Sequence, residues 1–314
     1  MTMPDKVGFL FPGQGSQFVG MGKDLYEKSA AAKKVFDDAD KTLDYPLTEI
    51  CFAGPEEKLT RTFYAQPAIF VTSLAAWTVL KEKFPELTPG FSAGLSLGEF
   101  TALVAAGSIS AEEGLKLVQK RAEAMERAAE KTPGTMASIL GMGEADCLAI
   151  AKETGCELAN LNSPEQMVIS GTFETVEKGC VLAESRGAKR AIRLKVGGAF
   201  HSSLMRDAKE DLEKALAATK IQSPQCTFIP NVIGSKVSNP EEIRSLLARQ
   251  LMSPVRWVDT MARAQESGLS LFLEIGPGKV LKGLAKKSQP GLAIEPAGTG
   301  DDLEKLQNLF AKTV

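Results

Sequence analysis

The pentapeptide Gly94-Leu95-Ser96-Leu97-Gly98 constrains this chain more than any other stretch, because it reads G-x-S-x-G between an apolar run and a helical segment. That pattern can carry a serine on a sharp strand-to-helix turn. Without a Cβ at 94 and 98 the backbone can turn tightly, lift Ser96 Oγ clear of a sheet, and let strand and helix approach closely. The flanks fit: a short apolar run with turn residues comes before, and Phe100 to Ala106 reads as a helix ended by Gly107. Free N–H groups at the start of that helix can receive an oxyanion, with Leu97 N–H the first candidate. A Gly-flanked turn without chemistry is the competing reading, and the decision lies elsewhere in the chain.

The chain of 314 residues has a single histidine, His201. If Ser96 is a nucleophile that needs an imidazole base, only His201 can serve. It sits in a loop after Gly197 and Gly198, between a strand and a helix expected from Ser203 to Ala218, where a scaffold commonly presents a reactive group. One histidine also excludes a His-rich metal site. Cys51, Cys147, Cys156, Cys180 and Cys226 are odd in number and widely spaced, which suits reduced thiols. Net charge is −2 with acidic and basic residues interspersed, so no electrostatic footprint for nucleic acid is present. No apolar run approaches the roughly 20 residues that span a bilayer, and the N-terminus lacks the regions of a signal peptide. A cytoplasmic chain with no membrane partner is expected.

Val7 to Phe11 reads as a buried strand running into Pro12-Gly13-Gln14-Gly15-Ser16-Gln17. This loop has neither G-x-G-x-x-G nor a Gly-Lys-Ser/Thr ending, so its better use is to present the Gln14 N–H to a reacting centre. Residues 23–81 are mainly helical by period, with breaks at Tyr45-Pro46 and Gly54-Pro55; Ala65-Gln66-Pro67 begins another helix, with Pro67 in its first turn. Ser110 and Glu113 form a capping box that opens a long helix to about Lys131. On it, Leu117, Arg121 and Met125 share one face. Arg121 has two readings: a snorkelling surface arginine paired with Glu123 or Glu126, or a buried guanidinium whose fork awaits a carboxylate.

From Thr132 to about Ser202 the pattern becomes β-α-β-β-α-β, the ferredoxin-like order. The expected fold class is therefore α/β: a large α/β-hydrolase-like domain with a parallel sheet (1–131 and 203–314) carrying a small inserted ferredoxin-like domain (132–202). The last part is read as strand Thr227 to Val232, helix Glu241 to Gln250, a helix opened by Ser253 to Trp257, strand and tight turn Leu271 to Gly278, a short helix, and a helix from Leu303 to Lys312.

Phe11-Pro12-Gly13-Gln14-Gly15-Ser16-Gln17, Gly94 to Phe100, Gln119-Lys120-Arg121 through Met125, Gly198-Ala199-Phe200-His201-Ser202, Pro254-Val255-Arg256-Trp257 and Glu274-Ile275-Gly276-Pro277-Gly278 occur in this order. Together they resemble the malonyl-CoA:acyl carrier protein transacylase family over nearly the whole chain. The resemblance implies that Ser96 is the nucleophile, His201 the base, and the N–H groups of Gln14 and Leu97 the oxyanion hole. It implies that Arg121 binds the malonyl carboxylate, that Met125 and Phe200 line the pocket, and that the backbone carbonyl of Gln250 orients the histidine. The reaction implied is ping-pong transfer from malonyl-CoA to the phosphopantetheine thiol of acyl carrier protein, supplying fatty acid synthesis, with coenzyme A thioester as substrate and no cofactor or metal. A monomer is expected. The chain departs from the family pattern at Leu95, usually histidine, at Gly197, usually serine, and at Ser203, usually proline. Lys189, Arg190 and Lys195 are either docking groups for an acidic carrier or solvated surface charge. The alternative function is a serine hydrolase, with Asp259 or Glu274 as a candidate acid behind the histidine.

Overall fold

The apolar run Val7–Phe11 lies in β1 (Lys6–Phe11), which is buried from its second residue onward and sits at the middle of a parallel sheet. The structure is a computed structural model describing residues 6–311. A helical layer follows: α1 (Lys23–Lys28), α2 (Ala30–Leu43), α3 (Leu47–Ala53), α4 (Glu56–Thr60) and α5 (Thr62–Lys83). The expected breaks at Tyr45-Pro46 and Gly54-Pro55 separate real helices. Pro67, however, stands inside α5 and not in its first turn, because the helix already begins at Thr62.

Helix α5 also corrects the reading of apolar runs. It is 22 residues long and apolar enough to cross a bilayer, and 78 % of its apolar window is buried inside the protein. It packs between α2 and α7 (Ala111–Lys131), which explains why it is apolar all round: a helix covered on every side has no polar face to show.

The chain then enters β2 (Thr88–Gly94), parallel to β1, and leaves through α6 (Gly98–Ala105). The capping box at Ser110 and Glu113 is formed at the start of α7, where both reciprocal bonds are present. Next come β3 (Thr135–Leu140), α8 (Glu144–Thr154), β4 (Glu157–Ser163), β5 (Gln166–Gly171), α9 (Phe173–Ser185) and β6 (Arg190–Arg193). These four strands form an antiparallel sheet in the order β4-β5-β3-β6. Strand β6 is only four residues long, although Leu194 beyond it still donates its N–H to Met136 O at 2.9 Å, and Leu194 and Val196 line a cavity.

A 3-10 turn at Ser203–Met205 precedes α10 (Arg206–Ala218), where one helix was expected throughout. The strand expected from Thr227 to Val232 is only β7 (Thr227–Phe228). Pro230 has no N–H for a ladder, and Asn231 gives its N–H to a side chain, so the chain peels away from the sheet. Then follow α11 (Pro240–Gln250), α12 (Trp257–Glu266), β8 (Phe272–Glu274), α13 (Val280–Ser288), β9 (Ile294–Pro296) and α14 (Gly300–Ala311). Strand β9 was not foreseen, being too short to show a period. The large sheet runs β7-β2-β1-β8-β9, all parallel. Its carboxyl ends, where open α/β sheets place their ligands, carry the Gln14 loop and the Ser96 turn. Val255, in the segment before α12, joins the edge of the small sheet at β4: its N–H donates to Ala159 O at 2.8 Å and its carbonyl accepts from Leu161 at 2.9 Å.

Candidate active site

The turn between β2 and α6 requires both of its glycines for room. A Cβ on Gly94 would lie 2.0 Å from the backbone of Gly98, and one on Gly98 would lie 2.1 Å from Phe11 O. Only bare backbone permits this crossing of strand and helix. Ser96 itself takes the left-handed conformation, φ 50. Such a non-glycine residue costs on the order of 1–3 kcal/mol and persists only where its surroundings hold it. Here Asn231 supplies the hold: its Oδ1 accepts from Ser96 N–H at 2.6 Å and its Nδ2 donates to Gly94 O at 2.7 Å.

His201 is also left-handed, φ 58, and is 5 % exposed. Its Nδ1 lies 2.8 Å from the backbone carbonyl of Gln250 and its Nε2 lies 2.9 Å from Ser96 Oγ. A carbonyl can only accept, so Nδ1 carries the proton and Nε2 turns its lone pair to the serine hydroxyl. Burial, helped by the charge of Arg121, pulls the imidazole pKa down to about 4 against the opposing pull of the Gln250 and Ser253 backbone. The ring is therefore neutral at physiological pH and able to take a proton. Neither acid considered from sequence stands behind it. Asp259 accepts from Arg256, and Glu274 accepts from the N–H groups of Leu281 and Lys282 at 2.9 and 2.8 Å.

Arg121 is buried, with 1 % of its surface exposed, which excludes the snorkelling reading. Glu123 pairs with Lys120 and Glu126 with Arg61 instead. One Nη donates to Gln66 Oε1 at 2.7 Å; the other donates to Ser96 Oγ and to Gln250 Oε1, both at 2.9 Å. Phe100 lies under the guanidinium at 5.6 Å. Burial lowers the arginine pKa to about 9 while Glu99 raises it, so the group stays cationic at neutral pH. Glu99 is fully buried, and burial pushes its carboxyl up to about 7 against hydrogen bonds from Asn231 and Gln250 and the charge of Arg121.

Ser96 Oγ thus accepts one hydrogen bond from Arg121 and offers its own proton to His201. Both partners line, with Gln14, Met125 and Phe200, a cavity of about 230 Å³. Gln14 and Leu97 flank the serine from the two loops, and neither N–H donates to a protein acceptor among the described residues. The Gln14 side chain donates to Thr62 at 3.2 Å, and Met125 Sδ accepts from Gln66 at 3.2 Å. All eight residues singled out from the sequence therefore meet at this cavity or directly behind it. Lys195 lines it too, whereas Lys189 pairs with Glu165 and Arg190 lies on exposed β6. Leu95 lines the cavity in place of the usual histidine, and Ser203 binds Glu157 through both its N–H and its hydroxyl.

Sequence reasoning assigned no role to Gln66, Glu99 or Asn231. Each had a signal of one kind, a lone polar residue in an otherwise apolar run, but such a residue declares its partners only in three dimensions.

A parallel α/β sheet presenting serine, neutral imidazole and guanidinium in one cleft has the parts for holding and passing on an acyl group. The family model described as the acyl transferase domain matches residues 8–291, so the class is that of acyl transferases. The malonyl CoA-acyl carrier protein transacylase of Bacillus subtilis (strain 168) is 48 % identical over 290 residues, covering 90 % of each chain. The solved transacylase of that name from Coxiella burnetii superposes with a TM-score of 0.93 at 36 % identity over 98 % of both chains. A malonyl-transacylase solved in complex with a type II PKS acyl-carrier protein gives 0.92 at 36 % identity, over 96 % of this chain and 99 % of that one. The chain belongs to the malonyl CoA-acyl carrier protein transacylase family.

Proposed function

We propose that this chain moves a malonyl group from malonyl-CoA to the phosphopantetheine thiol of acyl carrier protein through an ester on Ser96. The carrying observation is that one hydroxyl, Ser96 Oγ, lies 2.9 Å from both His201 Nε2 and Arg121 Nη. In the first half-reaction His201 takes the proton of Ser96 as Oγ attacks the thioester carbon, and the N–H groups of Gln14 and Leu97 receive the developing oxyanion. The C–S bond then breaks and the imidazolium protonates the departing CoA thiolate. In the second half the carrier thiol gives its proton to His201, attacks the seryl ester, and Ser96 recovers its proton from the imidazolium.

Arg121 supports the choice of acyl group. A malonyl carboxylate takes over the guanidinium donors, which are buried beside the serine, so the carbonyl is pinned over the oxyanion donors and the transfer outruns hydrolysis. An uncharged acyl group has nothing to offer the same cation. Met125 and Phe200 line the pocket, with the ring of Phe200 crowding an α-methyl substituent. The Gln250 carbonyl orients His201 in place of an acid, which favours the transferase over the serine hydrolase.

The same reading takes 132–202 as a ferredoxin-like insertion in an α/β-hydrolase-like domain of 1–131 and 203–314. The observed β-α-β-β-α-β order and the antiparallel β4-β5-β3-β6 sheet support it. A cytoplasmic monomer using neither cofactor nor metal and serving fatty acid synthesis completes the proposal. Intact-protein mass spectrometry tests it: malonyl-CoA should add one malonyl group, retained until acyl carrier protein removes it. Release of free malonate without a lasting adduct would instead mark a hydrolase.

A further inference from the structure

Glu99 is the second residue of α6, has no exposed surface, and directs a single oxygen, Oε2, at two donors. Gln250 Nε2 reaches that oxygen at 2.7 Å and the Asn231 backbone N–H at 3.0 Å. The other oxygen, Oε1, has no partner. Burying a carboxylate this way is expensive, and a buried acid with an orphaned oxygen is not what stability alone would retain.

The two residues it holds are the ones that grip the reacting groups. Asn231 Oδ1 accepts from Ser96 N–H, and Gln250 Nε2 also donates to Ser96 O at 3.0 Å. Gln250 further binds Arg121 through Oε1 and His201 through its backbone carbonyl. The Gln250 amide therefore lies between a guanidinium and a carboxylate. Turned end for end, it would set oxygen against oxygen at Glu99 and N–H against N–H at Arg121, so the two charges fix its orientation from both sides. Glu99 is also the carboxylate whose charge acts on buried Arg121.

We propose that Glu99 is a positioning residue for acyl transfer: by anchoring the Asn231 backbone and the Gln250 amide at one carboxylate oxygen, it sets Ser96 and His201 in register. It touches no reacting atom itself. Its effect must then be on the rate of acylation of Ser96 and not on the binding of the thioester, and it must be the same for charged and uncharged acyl groups.

The inference rests on the reading that Ser96 forms the ester, and the experiment separates the two. Single-turnover acylation of Ser96 is followed by intact mass for the wild type, Glu99→Gln and Glu99→Asp, with malonyl-CoA and acetyl-CoA. Failure of the wild type to acylate at Ser96 would remove the functional reading itself. Given wild-type acylation, Glu99→Gln should slow both acyl groups alike, on the order of 10²-fold, with KM for malonyl-CoA changed by less than about threefold. Glu99→Asp, which keeps the charge on a shorter arm, should recover part of that loss. Acylation by Glu99→Gln within a few fold of wild type overturns the proposal, as does a loss confined to malonyl-CoA, which would leave Glu99 a counter-ion only. Should Glu99→Gln fail to fold, Glu99→Asp decides alone: a slower acylation at unchanged KM supports the role, and wild-type rates overturn it.

Discussion

Arg121 Nη donates to Ser96 Oγ across 2.9 Å, so a buried guanidinium rests directly on the hydroxyl that also faces His201. The imidazole Nε2 of His201 lies at the same distance from that oxygen.

Arg121→Ala should cost malonyl transfer about 3 kcal/mol or more, over 100-fold in kcat/KM, as expected for charged hydrogen bonds lost in a buried site. Acetyl transfer should be spared or improved. Comparing kcat/KM for malonyl-CoA and acetyl-CoA checks it, and equal losses would remove the arginine from acyl recognition. Arg121→Lys should not restore the malonyl rate, since an ammonium lacks the planar fork.

The pH dependence follows from His201. Its pKa is lowered from 6.5 to about 4, so the neutral base persists well into acid. Acylation of Ser96 should fall with an acid limb near pH 4, measured as kcat/KM between about pH 3.5 and 8. A limb at 6.5 would mean that the imidazole is not buried as described. The linkage has a definite sign: a folded pKa below the unfolded one contributes stability that is present above pH 6.5 and lost as pH falls through 4. Glu99, raised from 4.5 to about 7, contributes the opposite way, with stability present below 4.5 and lost as pH rises through 7.

Gly98→Ala should abolish acylation and destabilise the fold by about 3 kcal/mol or more, because the new Cβ meets Phe11 O at 2.1 Å and backbone cannot step aside. Denaturant unfolding beside an acylation assay would measure both losses. A stable, active variant would show that the strand and helix do not cross so closely.

Ser203→Pro installs the usual residue of the family at the turn after His201. It removes the N–H and hydroxyl that bind Glu157 at 2.9 and 2.6 Å, both on the exposed side. Because that contact is solvated, the variant should keep stability within about 1 kcal/mol and activity within a few fold. A 100-fold loss in kcat would show that the Glu157 contact sets the histidine.

The Ser96 turn, the capping box of α7 and the shared face of Leu117, Arg121 and Met125 were legible because each depends on residues close in sequence. The family pattern carried Gln250, whose role no local signal revealed. The burial of Arg121 was open in the sequence, since a helix face states what is adjacent and not what covers it. Strand β7 was overread because Asn231 looks like one polar residue within an apolar strand and is in fact the brace of the Ser96 turn. Helix α5 was underread because its apolar content is interrupted by Gln66, which the fold turns onto Arg121.

By itself, the order of residues determined the strand–turn–helix at Ser96, the sole candidate base, and the acyl class to which the chain belongs. The first two follow from short-range backbone chemistry and from a count of one histidine; the acyl class follows from the resemblance of the ordered motifs to a known family. Tertiary structure decided that His201, 105 positions away, faces Ser96 at 2.9 Å, and that Gln250, 154 positions from the serine, holds serine, histidine and arginine together. Charge and hydrogen bonding across such separations depend on which surfaces are buried against each other, a property of the packed chain and of no segment within it.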